Sequence, residues 1–370
     1  MPTLGAFWIG VGTVAAIAAV LSALIAAADA TVGNYGRVKI SINAGTKELT
    51  VDGGRPLLST LSAEGIFIPS ACGGRGSCGL CKLEVQSGAG EYSPTELPWI
   101  SAAERARLIR LSCQVKVKRD MAIRIPEELF SIREYKTRVA SLRDLTYDIK
   151  EVTLRLEDGQ EMDFRAGKYI QFVVPAYELT PDPVYRAYSI SSAPSRRNTI
   201  ELEIRLVPNG ICTTYVFQHL RVGDPVTING PYGEFYLRDS DRDIIFVAGG
   251  SGMAPIKSIL LDMAEKGIRR KATYFFGARS ARDLFLVEEM RALEKQLPDF
   301  QFVPALSAPA PEDRWEGETG LITEVLDRRF QHLDHHEAYL CGSPGMIDAS
   351  VKVLRSKGLP EELIFYDKFA

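Results

Sequence analysis

The sequence predicts a multidomain chain of α+β and α/β type. In order, it reads as an N-terminal transmembrane helix, a small β-grasp domain, an antiparallel β-barrel and a doubly wound parallel sheet. Three observations carry that reading. Residues 4–28 hold no charged side chain. Cys72, Cys78 and Cys81 form a C-x5-C-x2-C loop, and Cys113 follows after 31 intervening residues. From Asp243 onward, short apolar strands alternate with helices, the first through a glycine-rich turn. A chain of 370 residues has room for two to four domains, each able to bury a core. A net charge of −3 leaves no basic footprint for nucleic acid. Six cysteines, four of them in one pattern, suit a reducing compartment better than a secreted disulfide scaffold.

The first element is the uncharged run Leu4–Ala28. As a helix it spans roughly 37 Å, enough to cross a bilayer with some tilt. Trp8 sits near one end, where interfacial aromatics are favoured. A cleaved signal peptide competes, because Ala28-Asp29-Ala30 resembles a cleavage site, but no Lys or Arg precedes the run and the run is too long. Arg37 and Lys39 follow it, so the positive-inside tendency places the rest of the chain in the cytoplasm, with a single pass through the inner membrane.

Residues 36–126 read as the β-grasp domain. Val38–Ile42 alternates like a strand, and a run ending in Thr50-Val-Asp-Gly-Gly completes a hairpin. Leu57–Gly65 reads as a helix with Leu57, Leu58 and Leu61 inward. Lys82–Val85 returns as a strand, and Leu111–Val115 brings Cys113 back at the start of another. The Pro94–Leu97 stretch and the Arg-rich 104–110 stretch read as a helical connection, with Arg105, Arg107 and Arg110 on a solvated face. Three thiolates on one tight loop and a fourth from a distant segment suit a 2Fe-2S cluster. Zinc sites usually pair two C-x2-C knuckles, and only one is present. A disulfide pair or buried structural thiols is the bland alternative. Gly73, Gly74, Gly76 and Gly79 let the backbone wrap closely round a cluster.

Residues 134–238 read as the barrel. Strand patterns recur at 138–142, 151–156, 169–174 and 200–206, separated by turns such as Asp158-Gly159. Arg186-Ala-Tyr188-Ser189 carries the chemistry. Arg186 and Tyr188 project to one face of a strand and Ser189 to the other. A guanidinium suits a pyrophosphate, an aromatic ring suits a flavin face, and Ser189 is placed to bond a flavin edge. Gly210-Ile-Cys-Thr213-Thr214 reads as a turn into a helix whose N–H groups complete a phosphate site. An ordinary strand is the alternative for four residues alone. Gly230–Phe235, in the expected order, favours FAD.

Residues 241–370 read as the doubly wound sheet. Asp243–Ala248 is a buried strand running into Gly249-Gly250-Ser251-Gly252-Met253-Ala254-Pro255 and a helix. Such a turn lets a pyrophosphate approach the backbone, although it is not the G-x-G-x-x-G fingerprint. Further strands read at 271–277, ending in Ala278-Arg279-Ser280, at 302–306 and at 338–341. Gly249 and Cys341 then fall at strand C-termini, where ligands bind. Cys341 is a candidate nicotinamide contact rather than a nucleophile, and a small buried residue on the bland reading. Cys212 reads as packing. His332, His335 and His336 read as a solvated polar loop.

These motifs together resemble the F subunit of the Na+-translocating NADH:quinone oxidoreductase family over nearly the whole chain. The matching stretches are S-A-C-G-G-R-G-S-C-G-L-C, P-T-E-L, L-S-C-Q-V, R-A-G-K-Y-I-Q, R-A-Y-S, G-P-Y-G-E-F, G-G-S-G-M-A-P, G-A-R-S and Y-L-C-G. The C-terminal half is similar to the wider ferredoxin–NADP+ reductase superfamily. The resemblance implies a ferredoxin-type 2Fe-2S domain with Cys72, Cys78, Cys81 and Cys113 as ligands. It implies FAD held by Arg186, Tyr188, Ser189 and the Gly210–Thr214 turn, and NADH over Gly249–Pro255 and Cys341-Gly342-Ser343-Pro344. Tyr366 and Phe369 would cover the flavin. Arg279 is where a 2′-phosphate would be met, but the same G-A-R-S occurs in NADH-using relatives. Three features depart from the family. Pro175–Val184 is short where the family carries a long insertion, Arg75 stands in the glycine-rich loop, and Gly342-Ser-Pro-Gly-Met346 takes the place of a doubled Pro and Met.

The implied function is an NADH-dependent oxidoreductase passing electrons from NADH to FAD to 2Fe-2S to a membrane acceptor such as ubiquinone. Its partners would be NADH, the lipid bilayer and membrane-embedded redox subunits. The alternatives are an anchored reductase for a membrane oxygenase, cyclase or desaturase, and a redox-sensing module.

Overall fold

The computed structural model describes residues 4–32 and 35–369, with side chains for Trp8, 11–24 and 35–369. The chain divides into two compact units, Met1–Ile68 with Gly74–Phe130, and Pro69–Gly73 with Ser131–Ala370. The helix α1 runs Leu4–Val32. Its described side chains, from Trp8 to Leu24, are exposed. Among the described residues no helix is long and apolar enough to cross a membrane. The expected span at 4–28 lies within this helix, and its side chains are described only for Trp8 and 11–24.

The first unit holds β1 (Arg37–Ile42), β2 (Lys47–Asp52), α2 (Leu57–Ala63), β3 (Lys82–Ser87), α3 (Ala102–Ala106), β4 (Ile109–Leu111) and β5 (Met121–Arg124). The sheet order is β2-β1-β5-β3-β4, with β1 and β5 parallel. Alternation along β1 turns Val38, Ile40 and Ile42 inward. Leu57, Leu58 and Leu61 of α2 close the same core, as their spacing predicts.

Two expectations need correction. Cys113 does not open a strand. β4 ends at Leu111, and the amides of Gln114 and Val115 both donate to the Leu111 carbonyl, so Cys113 lies in a turn. Arg110 is not on a solvated face. It is 4% exposed, and its guanidinium donates to both Glu96 oxygens at 2.9 and 2.7 Å and to the Gly90 and Glu91 carbonyls. A buried guanidinium demands such a set of acceptors. Burial alone would raise the Glu96 carboxyl, but Arg110 and the amides of Ser93 and Leu111 hold it below its ordinary value.

The second unit opens with β6 (Arg133–Asp144), β7 (Ile149–Leu156), β8 (Tyr169–Val174), β9 (Val184–Ser189), β10 (Thr199–Arg205), α4 (Ile211–Thr214) and β11 (Pro225–Tyr232). These six strands pair antiparallel in the order β10-β7-β6-β11-β8-β9. A bridge between Ile190 and Leu202 brings the two ends together and closes the barrel. Its inward residues include Val152, Leu154, Phe172, Leu202 and Ile204.

The rest is a parallel sheet, β15-β14-β13-β12-β16-β17. Its elements are β12 (Asp243–Gly249), α5 (Met253–Lys266), β13 (Ala272–Ala278), α6 (Val287–Gln296), β14 (Phe300–Leu306), β15 (Glu318–Thr319), α7 (Ile322–Arg329), β16 (His336–Gly342), α8 (Pro344–Ser356) and β17 (Ile364–Lys368). Strand order runs outward from β12 on one side and restarts at β16 on the other. The switch point therefore lies between β12 and β16, where open α/β sheets bind ligands. His336 opens β16 half-buried.

Candidate functional site

The cysteine loop is shaped by its glycines. Gly73, Gly74, Gly76 and Gly79 have φ of 66, 83, 76 and 68°, a region that side chains avoid. Space is also short. A Cβ at Gly79 would lie 2.5 Å from the Trp99 ring, and one at Gly76 would lie 2.8 Å from the Gln114 amide nitrogen. Cys81 and Cys113 are buried, and among the described residues no cysteine is joined in a disulfide. A hydrogen bond between Cys81 and Cys113, with burial, pushes the Cys81 thiol up. Gln114 Nε2 donates to Cys113 Sγ at 3.4 Å, while its Oε1 accepts from Thr95 at 2.8 Å. Two facing thiols, an amide donor on one sulfur and a loop that only glycine permits all fit a 2Fe-2S cluster. Among the described residues no three His, Cys, Asp or Glu side chains gather as a single metal ion would need. A cluster of two irons draws on thiolates in pairs.

In the barrel, β9 carries Arg186, Tyr188 and Ser189 as expected. Tyr188 meets Phe172 of β8 edge-on at 6.1 Å. Arg186 Nη1 donates to the Tyr185 carbonyl at 2.7 Å, and Ser189 is buried. Gly210 is the N-cap of the helix α4, so the turn into a helix is found as expected. The Thr213 hydroxyl, however, is engaged in its own turn, accepting from the Val207 amide at 3.1 Å.

At the switch point the structure brings together two stretches that lie far apart in sequence. Ala248 pairs with Cys341 in register. Gly252 packs so tightly on β16 that a Cβ there would overlap the Cys341 carbonyl oxygen and lie 2.7 Å from its carbon. Gly342 and Gly249 both face Met346. A cleft of about 730 Å3 opens beside them, lined by Gly249, Gly250 and Arg279, and also by Tyr147, Arg205 and Met346. Arg186, Tyr188, Ser189, Cys341 and Pro344 do not line it. Sequence reasoning missed Arg205, which is held by Asp148 at 2.8 Å, and Tyr147, which lies under Arg282 at 4.5 Å. Neither belongs to a motif.

Cys341 is fully buried. Burial, then Asp367 and Glu203, pushes its thiol well above the ordinary value, so it is a neutral thiol and not a nucleophile. Asp367, its partner across β17, is itself pushed up to about 6 by burial. On the same strand Tyr366 is exposed, and Phe369 just beyond it packs half-buried on the core while its amide donates to the Gly342 carbonyl at 2.8 Å.

Three family models match the chain in this order: a 2Fe-2S iron-sulfur cluster binding domain over 40–118, an oxidoreductase FAD-binding domain over 136–236 and an oxidoreductase NAD-binding domain over 246–352. The F subunit of the Na+-translocating NADH-quinone reductase from Neisseria meningitidis is 38% identical over 403 positions, covering 98% of each chain. Its counterpart from Actinobacillus succinogenes is 37% identical, again over 98% of each. The chain belongs to this F-subunit family. It is an NADH-dependent flavin and iron–sulfur oxidoreductase, with FAD, a 2Fe-2S cluster and NADH as its redox groups. Among solved structures, a cytochrome P450 reductase from Amycolatopsis is 27% identical with a TM-score of 0.72, covering 90% of this chain and 98% of its own. The ferredoxin reductase of carbazole 1,9a-dioxygenase is 26% identical with a TM-score of 0.70, covering 90% and 99%. The match to the Neisseria protein runs over 403 positions against the 370 residues here, so that relative carries segments that this chain lacks.

Proposed function

We propose that this chain is the electron-input component of a membrane NADH:quinone reductase of the sodium-translocating type, anchored at the inner membrane by 4–28 with its domains in the cytoplasm. The observation that carries the reading is the 38% identity over 98% of the chain, with the three cofactor modules in one order. The flavin supplies the conversion between a two-electron hydride and single electrons. The chain's own residues bind and orient. Cys72, Cys78, Cys81 and Cys113 hold the cluster. Arg186, Tyr188, Ser189 and the Gly210–Thr214 turn hold FAD. The Gly249–Pro255 turn, Arg279 and the Cys341–Pro344 turn hold NADH, and Tyr366 and Phe369 shield the flavin from water. Ser189 and Cys341 orient the reacting rings without exchanging protons with them.

A reductase serving an oxygenase is the second reading, favoured by the likeness to the P450 and dioxygenase reductases. Purification from native membranes separates the two. Recovery with several integral membrane subunits and NADH:quinone activity supports the first. Recovery with a heme or di-iron oxygenase overturns it.

A further inference from the structure

Within the second unit, the barrel and the parallel sheet share a polar seam, buried at its centre and open to solvent at Arg143, Arg196 and Glu289, that the electron route does not use. Its centre is Lys257 of α5, 4% exposed. Three carboxylates converge on its Nζ: Glu151 of β7 at 3.4 Å, Glu201 of β10 at 3.4 Å and Glu289 of α6 at 3.7 Å. Arg143 of β6 grips Glu151 through two bonds of 3.0 Å and reaches Glu289 at 3.2 Å. Arg196, just before β10, holds Glu201 at 2.7 Å. Three acids therefore face three cations. Beside them, Ser258 of α5 donates to the Ser192 carbonyl at 2.7 Å.

Glu203 is the fourth carboxyl of this seam, and it is different in kind. Leu202 and Ile204 turn into the barrel core, which leaves Glu203 on the face shared with Glu201. It is 3% exposed, and neither of its oxygens has a hydrogen-bond partner among the described residues. Tyr274 of β13, fully buried and with an unpartnered hydroxyl, lies within its field, as does Cys341 of β16. Ionised, Glu203 would add a fourth negative charge against three cations, with neither oxygen hydrogen-bonded among the described residues. Burial, reinforced by Glu151, Glu289 and Glu201 and opposed by Lys257, pushes it up to about 8.

We propose that Glu203 is a positioning residue. As the neutral acid it lets β10 close on α5, and its ionisation parts that seam and shifts the turn that begins α5. Because that turn is Gly249–Gly252, an open seam disturbs the nucleotide site, and this last step rests on NADH binding there. The sign follows from linkage. The closed seam keeps its proton up to about pH 8, whereas a solvated glutamate releases it near about 4.3. Across that window the closed-to-open ratio falls about tenfold per pH unit, and above it no further.

The test compares the holoenzyme with Glu203→Gln between about pH 6 and about pH 8. Amide hydrogen exchange reads the seam, corrected for the intrinsic pH dependence of exchange. Protection of the amides of β10 and α5 should fall about tenfold more per pH unit in the wild type than in the variant. Infrared spectra should show a protonated-carboxyl band at neutral pH that the variant lacks. The rate of flavin reduction by NADH should decline with pH in the wild type and stay level in Glu203→Gln. Parallel protection curves, or no band assignable to Glu203, would overturn the proposal. If Glu203→Gln fails to fold, Glu203→Leu supplies a second variant without a titrating group. Exchange is read without nucleotide, so a failure of the nucleotide assignment would appear only in the flavin-reduction profile.

Discussion

The cysteine loop and the nucleotide turn are both rich in glycine, yet glycine does different work in each. In the loop, all four glycines take a left-handed backbone. In the turn, only Gly250 does, with φ 56°, whereas Gly249 is extended and Gly252 is helical. There the need is nearness, because Gly252 lies against the Cys341 carbonyl with no room for a Cβ. One site is made by the path of its own backbone. The other is made by two strands of a sheet that stand side by side. The loop should therefore fail when its local supports are removed, and the turn should fail when anything intrudes between β12 and β16.

The largest effect should come from the buried Arg110–Glu96 pair, which also binds the Leu111 amide just ahead of Cys113. Arg110→Met strands the Glu96 carboxylate in a buried site, and breaking such a pair costs about 3–5 kcal/mol. Thermal unfolding followed by cluster absorbance and flavin fluorescence should show the cluster lost well before FAD. Simultaneous loss of both would remove the distinction. The pair also sets an acid limit. The depressed Glu96 carboxyl contributes stability that is present above its ordinary value and lost as pH falls through the folded one. Glu96→Gln should be less stable than the wild type at neutral pH, and its stability should fall less steeply on acidification.

Next comes the turn. Gly252→Ala forces a methyl into the Cys341 backbone, an overpacking of about 1–3 kcal/mol. A displacement of that kind should slow flavin reduction by NADH about 100-fold, while cluster content stays normal. Gly76→Ala should do the reverse, reducing cluster loading and leaving flavin reduction intact. If either variant injured both steps equally, the two glycine roles would not be separate.

How far these regions were legible in sequence follows the same division. The cysteine loop, the R-x-Y-S strand and the G-G-S-G-M-A-P turn are contiguous, and contiguous chemistry can be read directly. Arg110 was misread because its partner is fourteen residues back, and an arginine among arginines gives no sign of burial. Cys113 was placed in a strand because Leu111-Ser-Cys-Gln-Val alternates like one, while the turn is decided by two amides meeting one carbonyl. The Lys257 seam was invisible, since β6, β7, β10, α5 and α6 each contribute one or two charged residues that look like ordinary surface. Asp367 was passed over beside Tyr366 and Phe369, because only the register of β17 sets it opposite Cys341.

Smaller effects probe the loop side. Gln114→Leu removes the donor to Cys113 Sγ, and a hydrogen bond worth about 1 kcal/mol corresponds to about 40 mV in a one-electron potential. The cluster potential should fall by that order while the flavin potential holds. Arg75 is exposed on the loop. Arg75→Gly should alter acceptor reduction and leave NADH-to-FAD transfer unchanged.

The route itself is tested most directly by removing its middle step. Enzyme stripped of FAD but retaining its cluster should show no cluster reduction when mixed with NADH, followed by electron paramagnetic resonance, and should regain it on adding FAD. Cluster reduction at an undiminished rate without FAD would contradict the order NADH to FAD to 2Fe-2S.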